Sequence, residues 1–160
     1  MAKNTLPGDT LVLFQIDDKI FGLPLDQVAR VERAVKITTV PEAPPSLLGV
    51  INNHGSILPV INMRYKTGMS ERPIGITDQM IIARCHFYTI VIPVDKVEGV
   101  TKAKNVVTPV RLMGKDINMP QLMTTELGIV MVISCEQLIS FHETLAIQEI
   151  ADNLSSFNNV

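Results

Sequence analysis

Apolar residues along the chain fall in short runs cut by Gly, Pro, Asn and Asp, the punctuation of many strands rather than of a few long helices. Runs 11–16 and 20–25 flank Asp17-Asp18-Lys19 and predict a hairpin closed by turn-tolerant acidic residues. Val28, Val31 and Glu32 continue the strand pattern. Runs 49–52 and 56–61 meet across Asn53-His54-Gly55, where glycine accepts a positive φ, and this is the strongest hairpin signal in the chain. Runs 79–85 and 88–100 predict a further pair around Cys85-His86-Phe87, 127–133 is a last β-branched strand, and 105–121 reads as a loop.

Pro24, Pro59 and Pro93 each interrupt an apolar run, and because proline donates no ladder hydrogen bond these positions are expected at edges, bulges or strand ends. Strongly bent sheets and small barrels suit such a pattern better than a flat sheet. The C-terminal segment differs: Phe141, Leu145, Ile147, Ile150, Leu154 and Phe157 recur at spacings near three and four and predict an amphipathic helix with a polar, fraying end.

Composition narrows the function. A chain of 160 residues with 46% hydrophobic and 19% charged residues is long enough and apolar enough for one folded domain. A formal charge of −2 and 4% aromatic residues argue against nucleic acid, which needs a basic field or stacking platforms. No apolar run approaches the roughly 18 residues that span a bilayer, and the opening MAKNTLPGDT lacks a charged-then-apolar signal, so the expected location is the cytoplasm.

Catalytic constellations are not found. Cys85 and His86 are adjacent, and strand neighbours point to opposite faces, which spoils a thiolate–imidazole pair. His54, His86 and His142 lie in separate segments without metal-ligand spacing. Residues 68–75 contain glycines and an arginine but not the Lys-Ser/Thr ending of a phosphate loop, and 67–78 reads as a connection. Cys85 and Cys135 read as two buried small hydrophobes rather than a bridge. Met113, Met119, Met123 and Met131 read as core filler. No enzyme activity, cofactor or metal is expected.

Three blocks together resemble the CheW-like family. The first is Phe14-Gln15-Ile16, then Phe21-Gly22-Leu23-Pro24-Leu25, then Val28, Val31 and Glu32. The second and most specific runs Gly49-Val50-Ile51-Asn52-Asn53-His54-Gly55-Ser56-Ile57-Leu58-Pro59-Val60-Ile61-Asn62-Met63-Arg64, similar to the family's G-V-I-N-L-R-G-x-I-x-P-V-I-D-L-R. The third is Ile92-Pro93-Val94-Asp95-Lys96-Val97-Glu98-Gly99-Val100, and Leu127-Gly128-Ile129 resembles the opening of the family's final stretch. The resemblance implies an all-β fold of two packed five-stranded SH3-like barrels over residues 10–140, one barrel from roughly 26–82 and the other from the flanks. Residues 1–9 would be a tail and 141–160 the amphipathic helix and tail.

It also implies a non-enzymatic adaptor that couples chemoreceptors to a CheA-type histidine kinase in chemotaxis. Such a protein would bind the kinase's regulatory domain and the receptor's cytoplasmic hairpin tip, without nucleic acid or membrane insertion. Two other readings stand beside it: an adaptor of a type IV pilus or surface-motility system, and an unrelated small β-barrel enzyme or ligand-binding protein. The partner-binding residues implied are Val28, Arg30, Val31, Asn52, Asn53, His54, Gly55 and Arg64. Where the family carries a Glu and an Arg that pair beside the docking surface, this chain has Arg30 and His54, so that salt bridge is expected to be lost. Asn62 replaces the Asp of D-L-R and Asn53 an apolar residue, changes expected to matter little for folding and more for choice of partner.

Overall fold

The computed structural model describes residues 10–106, 121–139, 147–148 and 152. The first hairpin closes at its acidic turn: β1 (Thr10–Ile16) and β2 (Lys19–Pro24) pair antiparallel from Leu11↔Pro24 to Ile16↔Lys19. A short 3-10 turn leads into β3 (Val28–Arg33). The second hairpin, β4 (Leu47–Asn53) and β5 (Ser56–Ile61), turns on His54 and Gly55 at φ 51° and 91°. Two successive positive φ values make the primed turn that matches strand twist. One helical turn, α1 (Met63–Lys66), follows.

β6 (Gln79–Arg84) and β7 (Thr89–Val94) pair antiparallel. The single strand expected over 88–100 is two, because the chain crosses between sheets at Asp95: β7 pairs with β6, and β8 (Lys96–Lys102) pairs with β1. β9 (Asn105–Val106), β10 (Gln121–Thr125) and β11 (Gly128–Val132) complete the strands. The loop expected over 105–121 therefore has strand at both ends, and 107–120 lie outside the described residues. The expected C-terminal helix also lies outside them, apart from Ile147, Gln148 and Asp152, which are helical.

The strands form two mixed sheets, ordered β8-β1-β2-β11-β10-β9 and β3-β6-β7-β5-β4. Each contains one parallel contact, β2 with β11 and β5 with β7. In the first sheet β8 and β9 stand at opposite ends of the order, yet only Ala103 and Lys104 separate them, so the sheet curls until its ends adjoin. In the second, the segment after β3 reaches back to the far edge through the Thr38↔Val50 bridge, with Val50 and Thr38 donating to each other's carbonyls at 2.8 Å. This sheet spans β3 to β7, Val28 to Val94, past the residue-82 limit expected for the first barrel.

Curling gives each sheet an interior and leaves a third core between them. Leu11, Leu13, Val130 and Val132 fill the first sheet, and Ile51, Val60, Met80, Ile82 and Val91 the second. The shared core takes Phe14, Ile16, Phe21 and Leu23 from one side and Ile61, Ile81, Ala83, Ile90 and Ile92 from the other, with Ile147 also buried in it. Strict alternation explains this division: Met80 and Ile82 point one way, Ile81 and Ala83 the other. β6 and β7 are thus buried on both faces, which is why 79–85 and 88–94 read as unbroken apolar runs. Each such side chain contributes about 1.5–3 kcal/mol on burial.

Pro24 ends β2 as expected. Pro59 does not sit at an edge or a strand end: it lies within β5, which has neighbours on both sides. Its partner Val50 engages Thr38 with both its amide and its carbonyl, so the pair needs no hydrogen bond from residue 59. Gly49 stands where these chains crowd, at φ 144°, and a Cβ there would lie 2.2 Å from the Thr38 carbonyl oxygen. Cys85 and Cys135 correct the sequence reading: they form a disulfide with Cα atoms 5.4 Å apart, across 50 residues of chain. Nothing local predicts it, since only the packing of the two sheets brings the end of β6 beside the segment after β11.

Candidate functional site

The sequence-predicted residues divide into groups. Arg30 and Glu32 share one face of β3, and both reach Asn53 at the end of β4, on the opposite edge of the same sheet. Arg30 Nε donates to Glu32 Oε1 at 2.5 Å and its Nη2 to Asn53 Oδ1. Asn53 Nδ2 donates to Glu32 Oε2 at 2.7 Å. His54 Nε2 lies 3.4 Å from Glu32 Oε1. Arg30 and His54 cannot pair with each other, and Glu32, two residues along the strand, supplies the acid to both.

Asn53 is buried and staples the two edge strands, a larger structural part than its sequence reading gave it. Its amide serves as donor and acceptor at once, which no apolar residue can do. Arg30's guanidinium, donating to the Glu32 carboxylate, holds that group below its ordinary value. A groove of about 230 Å³ opens beside the staple, lined by Arg30, Asn53, His54, Ser56, Arg84 and Thr89 among others. Arg84 stands in this lining beside Arg30, whose charge is offset by its ion pair with Glu32.

Asn52 and Gly55 shape the hairpin tip: the Gly55 amide donates to Asn52 Oδ1 at 2.9 Å, while both residues stay exposed. Val31 is exposed on the other face of β3, and Val28 packs against the shared core. A register shift between Val28 and Arg30 sets Ala29 as the bulge that re-aims the strand toward Asn53.

Arg64 is not part of this cluster. It is buried on α1, where its Nη1 donates to Asp17 Oδ2 at 2.8 Å and to the Ser70 carbonyl at 3.1 Å, and its Nη2 to Asp95 Oδ1 at 3.1 Å. Arg72 joins Asp95 at 2.5 Å and grips Asp78 through two hydrogen bonds of 3.0 and 3.2 Å. The Asp17 amide donates to Asp95 Oδ2 at 2.7 Å. The Arg64 guanidinium keeps the Asp17 carboxyl below its ordinary value, and both arginines are raised by their carboxylates. Because Asp17 belongs to the first hairpin and α1 follows β5, this network binds one sheet to the other. Asn62 caps α1, its Oδ1 accepting from the Tyr65 amide at 3.1 Å.

Sequence reasoning missed Arg84 and Thr89, the last rung of the β6–β7 hairpin, and the acids Asp78 and Asp95. No local signal marks them, since each meets its partner only through tertiary packing. Among the described residues, no group of three or more His, Cys, Asp or Glu is placed to hold a metal ion.

A family model described as the CheW-like domain matches residues 10–143. A chemotaxis protein CheW of Bacillus subtilis is 32% identical over 82 residues, covering 51% of this chain and 53% of that one, so the match spans about half of that relative's length. A probable chemotaxis protein CheW of Rhizobium etli is 26% identical over 118 residues, 72% of this chain and 76% of that protein. The protein FrzA of Myxococcus xanthus is 26% identical over 64% of each chain. In fold, the chain is similar to the crystal structure of the scaffolding protein TtCheW from Thermoanaerobacter tengcongensis, with a TM-score of 0.74 and 24% identity over 86% of this chain and 96% of that one.

Proposed function

The chain belongs to the CheW-like domain family, and from that premise we propose that it is a non-enzymatic adaptor coupling chemoreceptors to a CheA-type histidine kinase in chemotaxis signalling. Its two curled sheets are the two SH3-like barrels of the resemblance, a reading supported by the adjoining ends of β8 and β9 and by the Asn53 staple across the other sheet. The partners are the kinase's regulatory domain and the hairpin tip of a receptor, met in the cytoplasm. Among the described residues no helix is long and apolar enough to cross a membrane.

The observation that carries the reading is the surface where the edges of the second sheet meet. Arg30, Asn52, His54 and Gly55 are exposed around the buried Asn53 amide, Val31 is exposed on the other face of β3, and Val28 packs against the shared core. Arg64 serves this surface indirectly, by fixing the two sheets against each other. An adaptor of this kind transmits a signal only if its contacts differ in free energy between the kinase-on and kinase-off arrangements. Arg84 at the groove favours partners that present an acidic group there, and Arg30 repels a basic partner shaped for the family's usual glutamate.

Binding of the purified regulatory domain of a CheA-type kinase tests the proposal. Val31→Asp is expected to weaken it, and exchanging the charges through Arg30→Glu with His54→Arg is expected to shift preference between partners. Binding of neither the kinase domain nor a receptor hairpin would sink the adaptor reading, and unchanged preference after the exchange would sink the charge argument.

A further inference from the structure

We propose that the Cys85–Cys135 bridge is a thiol-exchange site, entered at Cys85 by a low-molecular-weight thiol such as glutathione, whose state sets the geometry of the groove. The β6–β7 hairpin is held at both ends. At its open end Asp78 and Asp95, which flank Gln79 and Val94, are gripped by Arg72 and Arg64. At its closed end Cys85 follows Arg84 directly and is bonded to Cys135. Six paired residues separate the two clamps, about 23 Å at strand rise. One clamp is ionic and the other covalent, and only the covalent one answers to thiols.

The two sulfurs differ in access. Cys135 is fully buried in the shared core, whereas Cys85 is half-buried and begins a loop whose next residues, His86 and Phe87, are exposed. An incoming thiolate R–S⁻ forms a bond to Cys85 Sγ, and the Cys85–Cys135 bond breaks with its electron pair leaving on Cys135 Sγ, which takes up a proton. A second R–S⁻ attacks the sulfur of the first, forming RSSR and releasing Cys85 as a thiolate. The bridge gains two electrons, and two thiols are oxidised to one disulfide. The reverse sequence uses RSSR as oxidant.

Opening the bridge loosens one side more than the other. Cys135 stays in place through its amide, which donates to Gln27 Oε1 at 2.7 Å, and its thiol packs as a small hydrophobe. The loop at Cys85 keeps the backbone bond from its amide to the Tyr88 carbonyl at 2.7 Å. The adjoining rung is Arg84↔Thr89, and both residues line the groove. Bridges in reducing compartments are characteristically transient or redox-sensing. The exchange chemistry stands alone, while its effect on docking rests on the function proposed above.

The test incubates the full chain in glutathione buffers of graded ratio and maps thiols by mass spectrometry. In excess glutathione disulfide the native chain is expected to show no free thiol. Cys135→Ser is expected to carry one glutathione on Cys85, and Cys85→Ser to remain unmodified at Cys135. Two free thiols in the native chain under oxidising buffer, or equal modification of both variants, would overturn the proposal. Should either variant fail to fold, rapid alkylation of the freshly reduced native chain replaces it, with Cys85 expected to react before Cys135 and the opposite order counting against the site. Reduction is further expected to speed amide exchange at residues 84–89 and leave the open end of the hairpin unchanged; identical exchange in both states overturns the link to the groove. If the docking function itself fails, neither redox state binds the kinase domain, but thiol mapping and exchange still decide this proposal.

Discussion

Arg64 and Asp17 meet at 2.8 Å although 47 residues separate them, and the contact fastens the helical turn after the second hairpin to the bend of the first. Arg64→Met removes this bond together with those to Asp95 and Ser70 while keeping the side chain's apolar stem. Hydrogen bonds to charged groups contribute about 1.5–3 kcal/mol each, and the partly exposed carboxylates left behind regain water. The expected loss is about 2–3 kcal/mol, read as a lower urea midpoint at unchanged slope. A midpoint equal to the native one would show that the network does not join the sheets.

Asn53→Leu restores the apolar residue usual in the family and removes the staple between β3 and β4. Glu32 then retains Arg30 and His54, and the expected cost is about 1 kcal/mol after the gain from apolar burial. A double-mutant cycle with Arg30→Met should show coupling of at least about 0.5 kcal/mol, the mark of side chains acting together. Strict additivity would mean the two edges are held by the backbone bridge at Thr38 and Val50 only.

Gly49→Ala forces a methyl group against the Thr38 carbonyl at a φ that side chains avoid. Strain of this type costs about 1–3 kcal/mol before the clash is counted, so the variant is expected to unfold at a clearly lower temperature in a calorimetric scan. Gly68→Ala, at φ 71° but with open space around the added carbon, is the control that isolates the clash.

Acid should weaken the fold through two carboxylates. Asp17 and Glu32 have folded values below their ordinary 3.8 and 4.5, held down chiefly by hydrogen bonds from Arg64 and Arg30. The folded state therefore binds fewer protons than the unfolded one, so the stabilisation is fully present above the ordinary values and is lost as pH falls through the depressed ones. Urea midpoints measured from about pH 6 down to about pH 3 should fall most steeply below about pH 4. In the double variant Asp17→Asn with Glu32→Gln that fall should be shallower; an identical slope would place the acid sensitivity elsewhere.

Local chemistry made much of the strand layout legible. Asp17 and Asp18 marked one turn and His54-Gly55 another because those backbone conformations select their residues from a short menu. The proposed docking rim was partly legible too, since Arg30, Asn53 and His54 stand in recognisable blocks. Glu32 was visible in its block, but its partnership with Arg30 and His54 was not, because that depends on two opposite sheet edges coming together.

By itself the sequence determined where the chain bends and which residues alternate between faces, since turn conformation and side-chain direction are properties of a few neighbouring residues. Only the tertiary structure decided the break at Asp95, the joining of Cys85 to Cys135, and the burial of Arg64 between two distant aspartates. Each of these depends on which sheet a strand enters, and that choice is made by the packing of three cores at once.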